Sequence, residues 1–112
     1  MEELCDQRCE PVAKGAPHLS EEQLHEYLKQ VPLWALSASH AAIHREFHFR
    51  NFHETMAFVN MIAWVAHQQD HHPDLEVSYS RCKIIYTTHS VAGLSLNDFI
   101  CAAHIDALLA NG

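Results

Sequence analysis

Between Ile43 and Tyr86 the apolar residues of this chain change their spacing twice, and that change restricts the fold more than any other feature. Ile43, Arg45, Phe47 and Phe49 alternate with His44, Glu46 and His48, the period of a strand with one face covered. From Phe52 the spacing becomes helical: Phe52, Met56, Val59, Ala63 and Ala66 form one stripe, and Phe58, Ile62 and Val65 widen it. Asn51 offers an N-cap with Glu54 at N3, so the spacing predicts a long helix from there to about Gln69. After Pro73 the alternation returns in Leu75, Val77 and Tyr79. A turn at Ser80-Arg81 and the β-rich run Cys82 to His89 complete a hairpin.

The flanks extend the same logic. Ser20-Glu21-Glu22-Gln23 matches a capping box, Leu24, Tyr27, Leu28 and Val31 follow at helical spacing, and Pro32 ends the helix. Trp34 to about Ser39 reads as a strand that pairs with the Ile43 run through a turn near His40-Ala41. Gly93 breaks the chain, Ser95-Leu96-Asn97-Asp98 opens like a capping box, and Phe99, Ile100, Ala103, Ile105, Leu108 and Leu109 make a final helix. The order α-β-β-α-β-β-α predicts an α+β fold, a four-stranded antiparallel sheet with helices packed on one face. Residues 1–17 carry Pro11, Gly15 and Pro17 without an apolar period and are expected to be a loosely ordered leader, with residues 18–112 as a single domain. The far side of the central helix still carries Met61 and Trp64, more apolar surface than one sheet face covers. A subunit contact accounts for it, as does a thick monomer core.

Charge and composition narrow the function. With 14 acidic and 7 basic residues the formal charge is -7, which repels a phosphate backbone, so direct nucleic-acid binding is not expected. No run approaches the length of a bilayer span, so no membrane contact is expected, and the acidic start lacks the basic and apolar segments of a signal peptide. The cytoplasm is the expected compartment. The four cysteines are spread through the chain and read as reduced thiols; Cys5 and Cys9 stand in a C-x3-C pair without a second pair to complete a zinc site. Neither a G-x-S-x-G elbow nor a glycine-rich phosphate loop occurs.

Chemistry concentrates at Asp70-His71-His72-Pro73, with His67 one helical turn earlier and His89 at the end of the second hairpin. Imidazoles titrate near neutral pH, so several in one cleft can give and take protons. Pro73 disfavours helix at the residue before it, which puts the histidine pair at the end of the central helix. Asp70 is placed to orient an imidazole, and Thr87 and Thr88 add hydroxyls suited to a polar heterocycle. His18, His25, His40, His44, His48, His53 and His104 read as ordinary surface or core histidines. His67, His71 and His89 also have zinc-like spacing, but Gln68 stands where the base of an H-E-x-x-H motif would be, and metal catalysis is the minor reading.

At these residues the chain closely resembles the pterin-4a-carbinolamine dehydratases. Their pattern reads here as His67, His71-His72-Pro73, Tyr79, His89 and Asp98, every spacing fitting. Phe47 to Phe52, Thr88 to Ser95 and Trp34 look like the family as well, so the resemblance covers about residues 20–109. It implies dehydration of 4a-hydroxytetrahydrobiopterin to quinonoid dihydropterin without metal or cofactor, with His71, His72 and His89 sharing the proton transfers. It also implies that Asp70, Thr87, Thr88, Asp98 and His67 line the pterin site and that Trp34 lies at its edge. Two residues depart from common forms of the pattern: His67 stands where many members have Glu, and Leu75 where the animal proteins commonly have an aromatic. The leader and Leu96-Asn97-Asp98-Phe99 look like bacterial members, which implies pterin recycling for a phenylalanine hydroxylase and a homodimer or homotetramer. Animal members also bind a transcription factor as a dimerisation cofactor, so a non-catalytic pterin-binding or regulatory module is the alternative.

Overall fold

The computed structural model describes residues 3–110. Three helices, α1 (Glu21–Leu28), α2 (Phe52–Gln69) and α3 (Leu96–Ala110), join four strands, β1 (Ala35–Leu36), β2 (Ile43–His48), β3 (Asp74–Val77) and β4 (Arg81–Tyr86). The strands form one antiparallel sheet in the order β1-β2-β4-β3, the α+β architecture expected. Register sets the faces: Ile43 lies opposite Tyr86 and Phe47 opposite Cys82, and all four are buried with Ile84 in the layer between sheet and helices. On the other face Glu46, His48 and Lys83 meet water to differing degrees, and Arg81 holds Glu46 at 2.6 Å.

Each of the first two helices starts on the cap that its sequence offers. Ser20 accepts from the Gln23 amide while Gln23 Oε1 accepts from the Ser20 amide, a complete capping box. Asn51 Oδ1 accepts from the Glu54 amide at the head of α2. The buried stripe of α2 differs from the expected one. It runs Thr55, Phe58, Ile62, Val65 and Gln69, whereas Phe52 is 48% exposed and Ala63 faces water. Thr55 fixes this rotation, because its hydroxyl is buried between the carbonyl oxygens of Asn51, at 2.9 Å, and Tyr79, at 3.0 Å, and so ties the helix to the β3–β4 turn. Phe58, Ile62 and Val65, expected only to widen the stripe, are its centre, because both sides of α2 are apolar and periodicity alone does not choose between them. Met61 is half-buried against the core, whereas Trp64 is 58% exposed.

The second hairpin is also shorter than expected. β4 ends at Tyr86, Thr88 makes an isolated antiparallel bridge with Gly93, and His89–Val91 forms a single 3-10 turn between them. Gly93 packs closely there, since a Cβ would stand 3.0 Å from the Cβ of His18 and require that side chain to shift.

The leader is not loosely ordered over its described part. Leu4 is fully buried, with its amide donating to Gln30 Oε1 at 2.8 Å. The Cys9 amide donates to Gln69 Oε1, and Glu10 exchanges two hydrogen bonds with the Asn97 side chain. His104 reaches the Gln7 carbonyl oxygen, and the Gly15 amide reaches that of Ser90. The segment is held as an extended strap along α3 by single side-chain amides, which leave no periodic trace in the sequence. Met1 and Glu2 lie outside the described residues.

Candidate active site

Where α2 ends, the chain turns sharply. Asp70 takes a left-handed conformation (φ 50°, ψ 44°), its amide and that of His71 close the last helical turn onto Ala66 and His67, and Pro73 prevents continuation. This turn sends the two adjacent histidines apart: His71 goes inward and its side chain is 12% exposed, while His72 stays in solvent.

His71 is gripped on two sides. Its ring lies nearly parallel to that of Tyr86, with centroids 5.8 Å apart and 10° between planes. Its Nε2 stands 2.6 Å from Asp98 Oδ1. Asp98 is wholly buried in the first turn of α3, at the positive end of the helix dipole. Its other oxygen accepts from the Thr88 hydroxyl at 2.7 Å and the Ser95 amide at 2.9 Å, and the Ser95 and Thr88 hydroxyls are bonded to each other at 2.7 Å. A carboxylate that accepts at both oxygens leaves Nε2 of His71 as the donor of this pair, with Nδ1 outside it. Tyr86 is the floor of the arrangement. Burial pushes its phenol far above the ordinary range, and its hydroxyl stands beside Cys101 without a hydrogen-bond partner of good geometry.

A cavity of about 210 Å³ opens over this ring, lined by Asp70, His71, His72, Thr87, Thr88, His89 and Ser90. The structure thus gathers His71, His72 and His89 on one cleft, the last two exposed at its rim. Thr87 lines it with its hydroxyl donated to the Ala41 carbonyl at 2.6 Å. The hydroxyl of Thr88 is spent on Asp98 and Ser95, and Asp98 itself does not reach the cavity; both hold His71 from behind. A second cavity, about 340 Å³, shares Asp70, His71, Thr88 and Ser90 with the first and is closed by the leader at Cys9 to Val12.

Two residues expected at the site lie elsewhere. Trp34 is buried in the core, edge-on to Phe47 and tilted against Tyr86, with its indole N–H shared by the two carboxylate oxygens of Asp106 at 3.0 and 3.1 Å. It touches the site only through Tyr86. His67 is exposed on the last turn of α2 and lines neither cavity, since the left-handed Asp70 turns His71 away from the helix face that His67 occupies. Among the described residues no group of three or more His, Cys, Asp or Glu side chains is arranged to hold a metal ion. Sequence reasoning missed Ser95, Tyr86 and the leader wall. The capping-box spelling Ser95-x-x-Asp98 is the one signal that marked Ser95, because the Asp98 side chain does accept from the N-cap amide.

Comparison with known proteins gives the family. The family described as "Pterin 4 alpha carbinolamine dehydratase" matches residues 17–108. The chain belongs to that family. A protein of Stenotrophomonas maltophilia named "Putative pterin-4-alpha-carbinolamine dehydratase" is 54% identical over 106 residues, covering 94% of this chain and 90% of its own. One of the same name from Nitrosomonas eutropha is 50% identical over 108 residues, covering 96% and 94%. Among solved structures, a "transcriptional coactivator/pterin dehydratase" from Brucella melitensis superposes with a TM-score of 0.76 at 30% identity, over 81% of this chain and 97% of that one. A pterin dehydratase-like protein described as a RuBisCO assembly factor in the alpha-carboxysome shares the fold, with a TM-score of 0.57 at 20% identity over 67% of this chain and 87% of its own. No helix among the described residues is long and apolar enough to cross a membrane.

Proposed function

We propose that this family member dehydrates a 4a-hydroxytetrahydropterin to the quinonoid dihydropterin and water. The observation that carries the reading is His71, gripped by Asp98 and opening with His72 and His89 onto one cavity. The reaction needs a proton taken from the ring N5 and another delivered to the departing 4a-hydroxyl. His71 is the proton acceptor in this reading, because the buried carboxylate behind Nε2 stabilises the imidazolium formed when Nδ1 takes up the proton. An exposed imidazole at the rim, His72 or His89, supplies the proton to the hydroxyl. Asp70 and Thr87 line the same cavity and serve as substrate contacts. No metal or cofactor enters the scheme.

In this reading the quinonoid product passes to a reductase and returns as tetrahydropterin to an aromatic amino-acid hydroxylase, with phenylalanine hydroxylase as the expected partner pathway and the cytoplasm as the compartment. Self-association as a homodimer or homotetramer is part of the proposal. It is supported by the sheet edge β3, where every residue is exposed and Leu75 and Val77 face solvent, and by Trp64 on the outer side of α2. The same surfaces favour the second reading, a regulatory or pterin-binding module. It gains weight from the Brucella melitensis protein, which is described as a transcriptional coactivator as well as a pterin dehydratase.

The deciding experiment follows 4a-hydroxytetrahydropterin dehydration by ultraviolet absorbance with purified protein before and after exhaustive chelation. Acceleration that survives chelation is the expected result. No acceleration over the spontaneous reaction refutes the dehydratase and favours the module, and loss on chelation alone brings back a metal at His71 and His89.

A further inference from the structure

Two thiols that the proposed dehydration does not use meet at the junction of leader and α3. Cys9 Sγ lies 3.6 Å from Cys101 Sγ, although the two residues are far apart in the chain. Cys9 is half-buried and lines the larger cavity, and its sulfur also stands 3.6 Å from the Asn97 carbonyl oxygen. Cys101 is fully buried, with the His71 carbonyl 4.0 Å from its sulfur and the Tyr86 hydroxyl beside it. The other two thiols have no such arrangement, Cys5 being exposed on the first turn of the leader and Cys82 buried in β4.

We propose that Cys9 and Cys101 are a site of oxidative modification, closed to a disulfide by a low-molecular-weight disulfide of the glutathione class, which fastens the leader to α3 beside His71. The Cys9 thiolate attacks one sulfur of the oxidant, breaking its S–S bond and releasing one thiol. Cys101 then attacks Cys9 Sγ, breaks the mixed disulfide and releases the second thiol. Two protein thiols are thereby oxidised by two electrons, the oxidant is reduced to two thiols, and the protons of Cys9 and Cys101 end on those products.

Geometry sets this order. The sulfurs must approach by about 1.5 Å to reach bonding distance. Cys101 sits within a packed helix, whereas Cys9 lies on an extended segment outside helix and strand and can supply that movement by side-chain rotation. The hydrogen bond that the Cys101 thiol makes to the Cys9 sulfur raises its pKa, and burial raises it further, so Cys101 is the thiol that stays protonated until Cys9 has reacted.

The test incubates the reduced full chain with oxidised glutathione, then measures intact mass, free thiols and the disulfide map. Free thiols are expected to fall from four to two, the chain to lose two hydrogens, and the bridge to join Cys9 to Cys101. Cys5→Ser leaves the bridge intact, whereas Cys9→Ser, a change on the half-buried leader, abolishes it. The melting temperature of the oxidised chain rises by roughly 5–10 °C and returns with reductant. A bridge to Cys5 or Cys82, stable glutathione adducts without a bridge, or an unchanged melting temperature overturns the proposal.

Discussion

The two halves of the candidate site are built on opposite principles. Behind His71 the polar atoms have fixed partners: Asp98 serves the ring, a hydroxyl and an amide at once, and Thr88 and Ser95 lock each other. In front, His72 and His89 stand exposed at an open rim. In the proposed reading the buried half fixes one imidazole in orientation and tautomer before substrate arrives, and the open half leaves the other two imidazoles free to follow a ligand. Preorganisation is thus concentrated at one nitrogen.

That contrast is breakable in steps. His71→Ala and His72→Ala are each expected to lower turnover by roughly a hundredfold or more with the circular dichroism spectrum unchanged. Losses below threefold in both would sink the proton-transfer assignment. Asp98→Asn separates the halves more finely: it keeps the shape of the buried network but withdraws the charge behind His71. Turnover should fall by about 10- to 100-fold, mostly in kcat, and the pH–rate profile should shift. An equal loss in Asp98→Asn and His89→Ala, with no change of profile, would argue that the buried half is only scaffold.

Alkaline pH loads buried groups of the core, two of them beside the site. Burial chiefly holds the Tyr86 phenol and the Cys82 thiol above their ordinary pKa values of 10.0 and 9.0, and Cys101 is raised as well, first by Cys9 and then by burial. In the unfolded chain these groups release protons from about pH 9–10 upward while the folded protein retains them, so the unfolded state binds fewer protons and stability falls as pH rises. Each group that remains protonated adds a slope of up to about 1.4 kcal/mol per pH unit. Urea melts between about pH 8 and 11 should show the decline, and Tyr86→Phe should flatten it above about pH 10.

Trp34→Phe tests whether the indole belongs to the site or to the core. It retains an aromatic ring but leaves Asp106 to Arg45 alone, so a loss of about 1 kcal/mol in stability is expected with KM within twofold. A severalfold rise in KM would return Trp34 to the substrate. The smallest effect is expected from His67→Ala, since the ring is exposed outside both cavities and turnover should stay within twofold.

Much of this was legible in the residues. The switches of apolar period placed the helices and strands in their order, and Pro73 placed the histidine pair at the end of α2. What escaped was decided by single polar atoms. Thr55 rotates α2 through two carbonyl contacts, and Gln30, Gln69 and Asn97 hold the leader, none with a periodic signature. His67 was misplaced for a related reason. Helical spacing puts it beside His71 only if the helix continues, and the left-handed Asp70 ends it one residue earlier. Trp34 was placed by resemblance, yet the carboxylate that claims its indole, Asp106, lies far along the chain on α3 and leaves no local pattern around the tryptophan.

One carboxylate joins the site to the start of α3. Asp98 caps the start of α3 through the Ser95 amide and aims His71 through its other oxygen, so the helix and the site begin at the same atoms. If the proposed dehydration holds, aiming of His71 depends on an intact first turn of α3, and fraying of that turn should extinguish activity while the sheet and α2 still stand.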